Sequence, residues 1–280
     1  MCTLKGGLAA MKTLLTLALG LLLAATAARA QEEVPFITTP DHVTLAMLQL
    51  AGVGAKDHVI DLGSGDGRIV ITAAKRFGAT GLGVEIVPHL VHQSRDNARA
   101  AGVSARVEFR EQDLFATDLR RATVVTMYLL PEVNLQLRPR LLALAPGTRI
   151  VSHDWDLGDW APDRTLTVDV PGKVVGLDKR SRLHLWVVPA AVRGLWCSAS
   201  ASLQITQRFQ TFSATLMDQR STTPAMVFDG RIEGATLRAQ GARVAVLLAQ
   251  PDALHLASVD NVAMAFAGQT FARAQGARCP

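Results

Sequence analysis

The 280-residue chain has three cysteines, one tyrosine and six lysines, and these shortages exclude whole chemistries. Three cysteines without a CxxC pair make neither a disulfide scaffold nor a zinc module. The seven histidines show no ligand spacing. His89 and His92, three apart on a helix, read as exposed, and no metal is expected. Runs of Lys or Arg interleaved with aromatics are absent, which argues against an electrostatic nucleic-acid partner. Only one segment, near the start, is apolar over a long stretch.

What is present suits a globular protein. Apolar residues make up 49% and charged residues 19%, enough to bury a core in one large domain or two small ones. The net charge of +5 comes largely from the first thirty residues, where Lys5, Lys12 and Arg29 stand without an acid. Residues 31–280 carry 26 basic and 24 acidic side chains.

Lys12 leads into an apolar stretch that ends in Ala28-Arg29-Ala30. A charged start, an apolar centre and a small-x-small site form a secretory signal peptide, with Met11 a suitable start. The stretch is short for a membrane span. An uncleaved membrane anchor or an organelle address is the alternative. The expected localisation is periplasmic or secreted.

The rest divides in two. Residues 31–190 alternate strands and helices, the pattern of a parallel sheet. Gln31–Pro40 reads as an extended lead-in, and Asp41 as the cap of a helix over 42–53. Strands are expected at His58–Leu62, Gly81–Ile86, Arg106–Arg110, Thr123–Leu129 and Arg149–His153. Helices are expected at Arg68–Phe77, from Pro88 to about Ala101, and at Leu135–Leu144 with a restart at Pro139. Thr165–Val170 and Arg182–Val188 follow with no helix between them, as an antiparallel pair closing the sheet edge. Residues 191–280 hold many short β-type runs and read as a small antiparallel β domain of six to eight strands. Asp229-Gly230 reads there as a hairpin turn.

The strongest motif is Asp61-Leu62-Gly63-Ser64-Gly65-Asp66-Gly67-Arg68, between a strand and a helix. The dinucleotide fingerprint places its third glycine three residues after the second. Here the interval is two, and Arg68 occupies the dinucleotide position. Asp61, ahead of the glycines, suits a cationic ligand and repels a pyrophosphate. Glu85 ends the second strand, where a carboxylate takes ribose hydroxyls. Asp113 follows the third strand, placed to accept from an adenine amino group. Three acids at three successive strand ends make one crevice.

This arrangement resembles the class I S-adenosylmethionine-dependent methyltransferases over about residues 35–188. That implies an α/β, Rossmann-like seven-stranded sheet with S-adenosyl-L-methionine as cofactor. The implied cofactor contacts are Thr39, Asp61, Gly63, Ser64, Gly65, Asp66, Gly67, Glu85, Gln112, Asp113 and Leu129. Pro35–Pro40, the glycine loop, Tyr128-Leu129-Leu130-Pro131-Glu132 and Ser152-His153-Asp154-Trp155 together resemble a narrower family. It is the mitochondrial protein-lysine methyltransferases of the ATP synthase c subunit and the adenine nucleotide translocase, with their bacterial relatives. N-methylation of a lysine in a protein substrate, membrane-associated in some cases, is what this resemblance implies. The Asn/Asp-Pro-Pro-aromatic motif of enzymes that methylate amino groups in nucleic acids and glutamine is absent. Alternatives are a small-molecule methyltransferase, or an exported module that binds the cofactor without turnover. The latter addresses a conflict, since S-adenosylmethionine is made in the cytosol.

Two residues are the catalytic candidates. Tyr128 ends the fourth strand, which in this fold borders the sulfonium methyl, and its hydroxyl can hold a neutral amine. The alternative is a strand-end wall. Asp154, after the fifth strand, is a candidate substrate contact, while His153 reads as a structural hydrogen-bonding group. Trp155 and Trp160 are expected to wall the crevice. Thr38–Pro40 is either a lid or a plain linker. Removal of residues 1–30 leaves Cys197 and Cys279, an even pair that reads as a disulfide in an exported chain. One buried thiol and one on a frayed tail is the alternative.

Overall fold

A computed structural model describes residues 37–174 and 178–279. The signal-peptide segment and most of the Gln31–Pro40 lead-in lie outside the described residues. Among the described residues no helix is long and apolar enough to cross a membrane.

The first half is a doubly wound sheet. Helix α1 (Asp41–Leu50) precedes strand β1 (His58–Leu62), and α2 (Arg68–Phe77) leads to β2 (Thr80–Glu85). Helix α3 (Pro88–Ala100), β3 (Val107–Glu111), β4 (Val124–Met127), α4 (Pro131–Leu142) and β5 (Arg149–His153) follow, then β6 (Arg164–Asp169) and β7 (Arg180–Val187). The sheet order is β3-β2-β1-β4-β5-β7-β6. Strands β1 to β5 pair in parallel, and β7 runs antiparallel between β5 and β6. Chain order reverses between β1 and β4, so the connections leaving those strand ends part to opposite faces and open a crevice.

Alternation along the strands separates two cores. Ile60, Leu62, Val125 and Met127 pack with Leu137 and Leu141 of α4 on one face. On the other, Val59 and Val124 pack with Val43 and Met47 of α1 and Ile69 and Ala73 of α2. Asp61 and Thr126 are register partners on this second face, so a carboxylate sits at the crevice end of an otherwise apolar stripe.

Three local expectations change. Asp41 lies in the first turn of α1, whose N-cap is Pro40 with no side-chain cap bond. Helix α4 starts at Pro131 and runs unbroken through Pro139. Proline suits its first turn, and packing of Leu137 and Leu141 carries the helix across the second proline. Trp160 lines no crevice: it is fully buried, stacked on Phe209 and tilted against Trp186.

The second half is a closed eight-stranded barrel, ordered β10-β11-β12-β13-β14-β15-β8-β9. Its strands are β8 (Gly194–Cys197), β9 (Ala201–Arg208), β10 (Thr211–Asp218), β11 (Pro224–Glu233), β12 (Thr236–Ala239), β13 (Ala245–Ala249), β14 (Ala253–Val259) and β15 (Thr270–Arg273). Closure pairs every edge, which removes the exposed ladder an open sheet would carry. The expected Asp229-Gly230 hairpin is not there. Both residues lie inside β11, which turns instead at Gly234. Gly230 is needed because a Cβ there would overlap the Arg238 carbonyl and touch the Phe212 ring. The turn signal thus reflected close strand packing.

From Thr38 onward the chain is one compact unit. The barrel has its own core, yet it is tied to the sheet by the Arg231–Asp163 ion pair at 2.6 Å and by Gln210 donating to the Ala161 carbonyl at 2.7 Å. Phe209 adds its ring to the sheet core.

Cys197 in β8 is disulfide-bonded to Cys279, with Cα atoms 5.6 Å apart and a sequence separation of 82. A loop of that length removes about 4 kcal/mol of chain entropy from the unfolded state, before any native strain. Urea unfolding of Cys197→Ser should show a stability loss approaching that size, and the same loss should follow reduction of the wild type.

Candidate active site

The glycine loop is built by conformations that other residues resist. Gly63, Gly65 and Gly67 all have positive φ, at 75°, 52° and 81°. At Gly67 a Cβ would stand 2.7 Å from the Phe109 ring and 2.8 Å from Ser94 Cβ, so helix and sheet approach too closely for a side chain. At Gly63 it would meet Leu129 at 2.9 Å, which places Leu129 over the loop. The Ser64 hydroxyl is buried with no hydrogen-bond partner.

Carboxylates surround this loop. Asp61 is buried and accepts a 2.7 Å bond from the Thr126 hydroxyl. Burial pushes its pKa up to about 7, and the negative Glu85 and Asp66 push the same way. Glu85 reaches back from β2 and accepts from the Gly65 N–H at 3.0 Å, and from the N–H groups of Ile86 and Val87. Asp66 is gripped by Arg68, whose Nη1 also donates to the Thr39 carbonyl at 2.9 Å. Arg68, where a dinucleotide loop has glycine, therefore clamps the lead-in segment onto the loop. Its departure from the fingerprint was visible in the sequence, but its partner was not. Asn97 of α3 secures the same loop by donating to the Asp66 carbonyl.

At the next strand end Asp113 is exposed and accepts from the Phe115 N–H, capping a short 3-10 turn. Gln112 donates to the Thr117 hydroxyl. The crevice thus carries acids along one side, glycine backbone beneath, and apolar Leu129, Ile86 and Phe115 at its margin. Such a donor set fits a ligand with an ammonium or sulfonium charge, a diol and an aromatic base.

A second cluster forms where β4 and β5 end. The Tyr128 ring stacks on His153 with centroids 3.9 Å apart. His153 is buried, its Nδ1 bonded to the Thr39 hydroxyl at 3.1 Å and its Nε2 to the Ser181 hydroxyl at 2.8 Å. Both ring nitrogens are occupied, and burial holds its pKa below the usual histidine value. Thr39 accordingly bridges the two clusters. Asp154 has a positive φ of 66°, and its carboxylate accepts from the Arg182 N–H at 3.0 Å. Burial and the adjacent Asp154 charge push the Tyr128 hydroxyl up to about 12. Buried Asn134 of α4 donates to the Trp155 and Asp156 carbonyls and so fixes the turn after Asp154. Lys173, from the β6–β7 connection, places Nζ 2.7 Å from Asp154 Oδ2. Nothing in the sequence pattern pointed to it, because the contact joins a residue after β5 to one after β6.

Residues 61–164 match the model of the ANTKMT methyltransferase domain. A protein-lysine N-methyltransferase of Saccharolobus islandicus is 43% identical over 138 residues, covering 49% of this chain and 86% of that protein. The chain belongs to this methyltransferase family. The mouse adenine nucleotide translocase lysine N-methyltransferase is 38% identical over 128 residues, 42% of this chain, and the match spans 56% of that protein. Among solved structures, an RNA methyltransferase from Salinibacter ruber in complex with S-adenosyl-L-homocysteine is 52% identical, with a TM-score of 0.50. That similarity covers 56% of this chain and 96% of the Salinibacter chain. The barrel lies beyond the residues that the family model matches.

With the acid-lined crevice as the expected donor site, the charge on Asp61 sets a pH dependence. Asp61 titrates near 7 in the free protein, and its protonated form lacks the charge that holds a cation. Calorimetry with S-adenosylhomocysteine as probe should show affinity falling up to about fivefold from pH 7 to pH 6. Asp61→Asn should bind weakly and without that slope.

Proposed function

We propose that this protein transfers a methyl group from S-adenosyl-L-methionine to the side-chain amine of a lysine in a protein substrate. The observation that carries the reading is the continuity of the two clusters. An acidic, glycine-floored crevice opens at β1, β2 and β3, and a tyrosine–aspartate pair stands at the adjoining ends of β4 and β5. The relatives named as lysine methyltransferases support it.

When bound, the donor supplies an activated methyl on a sulfonium sulfur. Asp61, with the Arg68-paired Asp66 beside it, would face its amino-acid end, Gly63 and Gly65 would allow close backbone approach, and Glu85 would accept from its ribose. Methyl transfer is an in-line displacement, so positioning and exclusion of water carry most of the catalysis. Asp154 attracts the acceptor as an ammonium. Tyr128, with a pKa of about 12, stays protonated at neutral pH and is a hydrogen-bonding group rather than a base. His153, neutral and bonded at both nitrogens, orients the Tyr128 ring. The amine proton leaves to solvent as the lone pair turns toward the methyl.

The test is transfer of labelled methyl from S-adenosylmethionine to membrane and soluble protein fractions from the organism's own cells, followed by amino-acid analysis for methyllysine. Label in RNA alone would overturn the lysine assignment. Tyr128→Phe should lower turnover about ten- to hundredfold, the cost of one hydrogen bond in the transition state, while S-adenosylhomocysteine affinity stays within about twofold. Joint loss of both would make Tyr128 a wall of the donor pocket.

The compartment belongs to the same proposal. Lys12–Ala30 reads as a secretory signal, and the Cys197–Cys279 bond suits an oxidising compartment. Intact-mass measurement of protein from its own cells should find a chain beginning at Gln31. A membrane-bound chain retaining residues 11–30 would make the segment an anchor.

A further inference from the structure

Lys173 is an unusual residue for this chain to place where it does. Among the described residues every other carboxylate ion pair made by a Lys or Arg side chain is made by arginine, as in Arg68–Asp66, Arg149–Asp57 and Arg231–Asp163. Asp154 alone takes a lysine. Lysines 56, 75 and 179 are exposed, whereas the Lys173 side chain is 13% exposed and that of Asp154 14%. The ammonium also donates to the Arg180 carbonyl at 2.7 Å. A structural pair at this depth favours arginine, whose planar fork grips a carboxylate with two bonds; lysine is a compact charge on a flexible stem that exchanges one partner for another.

We propose that Lys173 is an internal occupant of the acceptor site, a primary ammonium of this chain held by Asp154 where the substrate lysine docks, and displaced by it. The inference rests on the acceptor assignment of Asp154 and Tyr128 above. The chemistry is self-consistent: the group that the site must recognise is the group that fills it. Asp154 is thereby never left as a largely buried carboxylate without a counter-charge. The occupant is a single flexible side chain, so a substrate ammonium must displace the Lys173 ammonium from Asp154 to gain entry. The device also sets selectivity, because only a cation able to replace an ammonium on Asp154 is admitted.

Two measurements test this. In the first, the full chain is treated with an amine-reactive ester, and labelling of Lys173 is followed by peptide mass spectrometry against exposed Lys75. Butyltrimethylammonium, which resembles a fully methylated lysine side chain and cannot react with the ester, is the probe. It should raise labelling of Lys173 several-fold and leave Lys75 unchanged. No response at Lys173 overturns the proposal. The second compares kinetics on a lysine-containing peptide. An occupant present about 90% of the time raises the apparent acceptor constant about tenfold, so Lys173→Met should increase kcat/KM toward that limit. Lys173→Arg should decrease it by holding Asp154 more firmly. A fall in kcat/KM for Lys173→Met would make Lys173 a support for Asp154 and overturn the occupant. An enzyme that methylates no lysine, yet releases Lys173 to the probe, would refute the proposed activity while retaining the amine site.

Discussion

A carboxylate buried at the C-terminal end of the central strand constrains the whole donor side. Asp61 shares a crevice with Asp66 and Glu85, and like charges at that spacing oppose one another. The fold answers in three ways. Thr126, one strand over, donates to Asp61; Arg68 neutralises Asp66; and Glu85 turns onto three backbone N–H groups. Each answer depends on a different neighbour of β1, so the sheet order, the loop and the helix after it are mutually fixed. Negative charge therefore remains concentrated around the glycine loop.

The acceptor side is organised by aromatic and histidine packing. Tyr128 and His153 end adjacent strands and stack, and His153 is tethered to Thr39 on one side and Ser181 on β7 on the other. Thr39 is in turn held by Arg68 from the glycine loop. A continuous hydrogen-bonded path thus runs from the donor loop through the lead-in to the residues at the acceptor.

The barrel has a separate logic. Its core is self-contained and its edges are closed by pairing, so it does not depend on the sheet for hydrogen bonds. Its attachment includes polar contacts to Asp159, Asp163 and the Ala161 carbonyl, and the Phe209 ring crosses into the sheet core. The strand pair β6–β7, next to this attachment, also carries Lys173 and Ser181 to the acceptor cluster. The turn that positions Asp154 and the segment that meets the barrel are therefore one stretch of chain.

Much of the sheet was legible in advance, because alternating strand and helix periodicity is a local property: β1, α2 and β5 begin and end where their patterns say. The place of Asp61, Glu85 and Asp113 was legible too, since each stands at or just after a strand end and the parallel connection rule puts those ends on one side. Misreadings occurred where local chemistry had two meanings. Asp229-Gly230 carries a turn dipeptide, but Gly230 is there for a close approach to Arg238 that only barrel closure creates. Trp160 looked like a crevice wall, yet packing with Trp186 and Phe209 buries it. Sequence by itself determined the fold of the first half and the gathering of Asp61, Glu85 and Asp113 at successive strand ends, because those follow from periodicity and strand order. The Arg68–Thr39 clamp, the His153 tether and the seat of Lys173 on Asp154 were decided by tertiary structure alone, since each joins residues far apart in the chain through side chains whose direction no local pattern specifies.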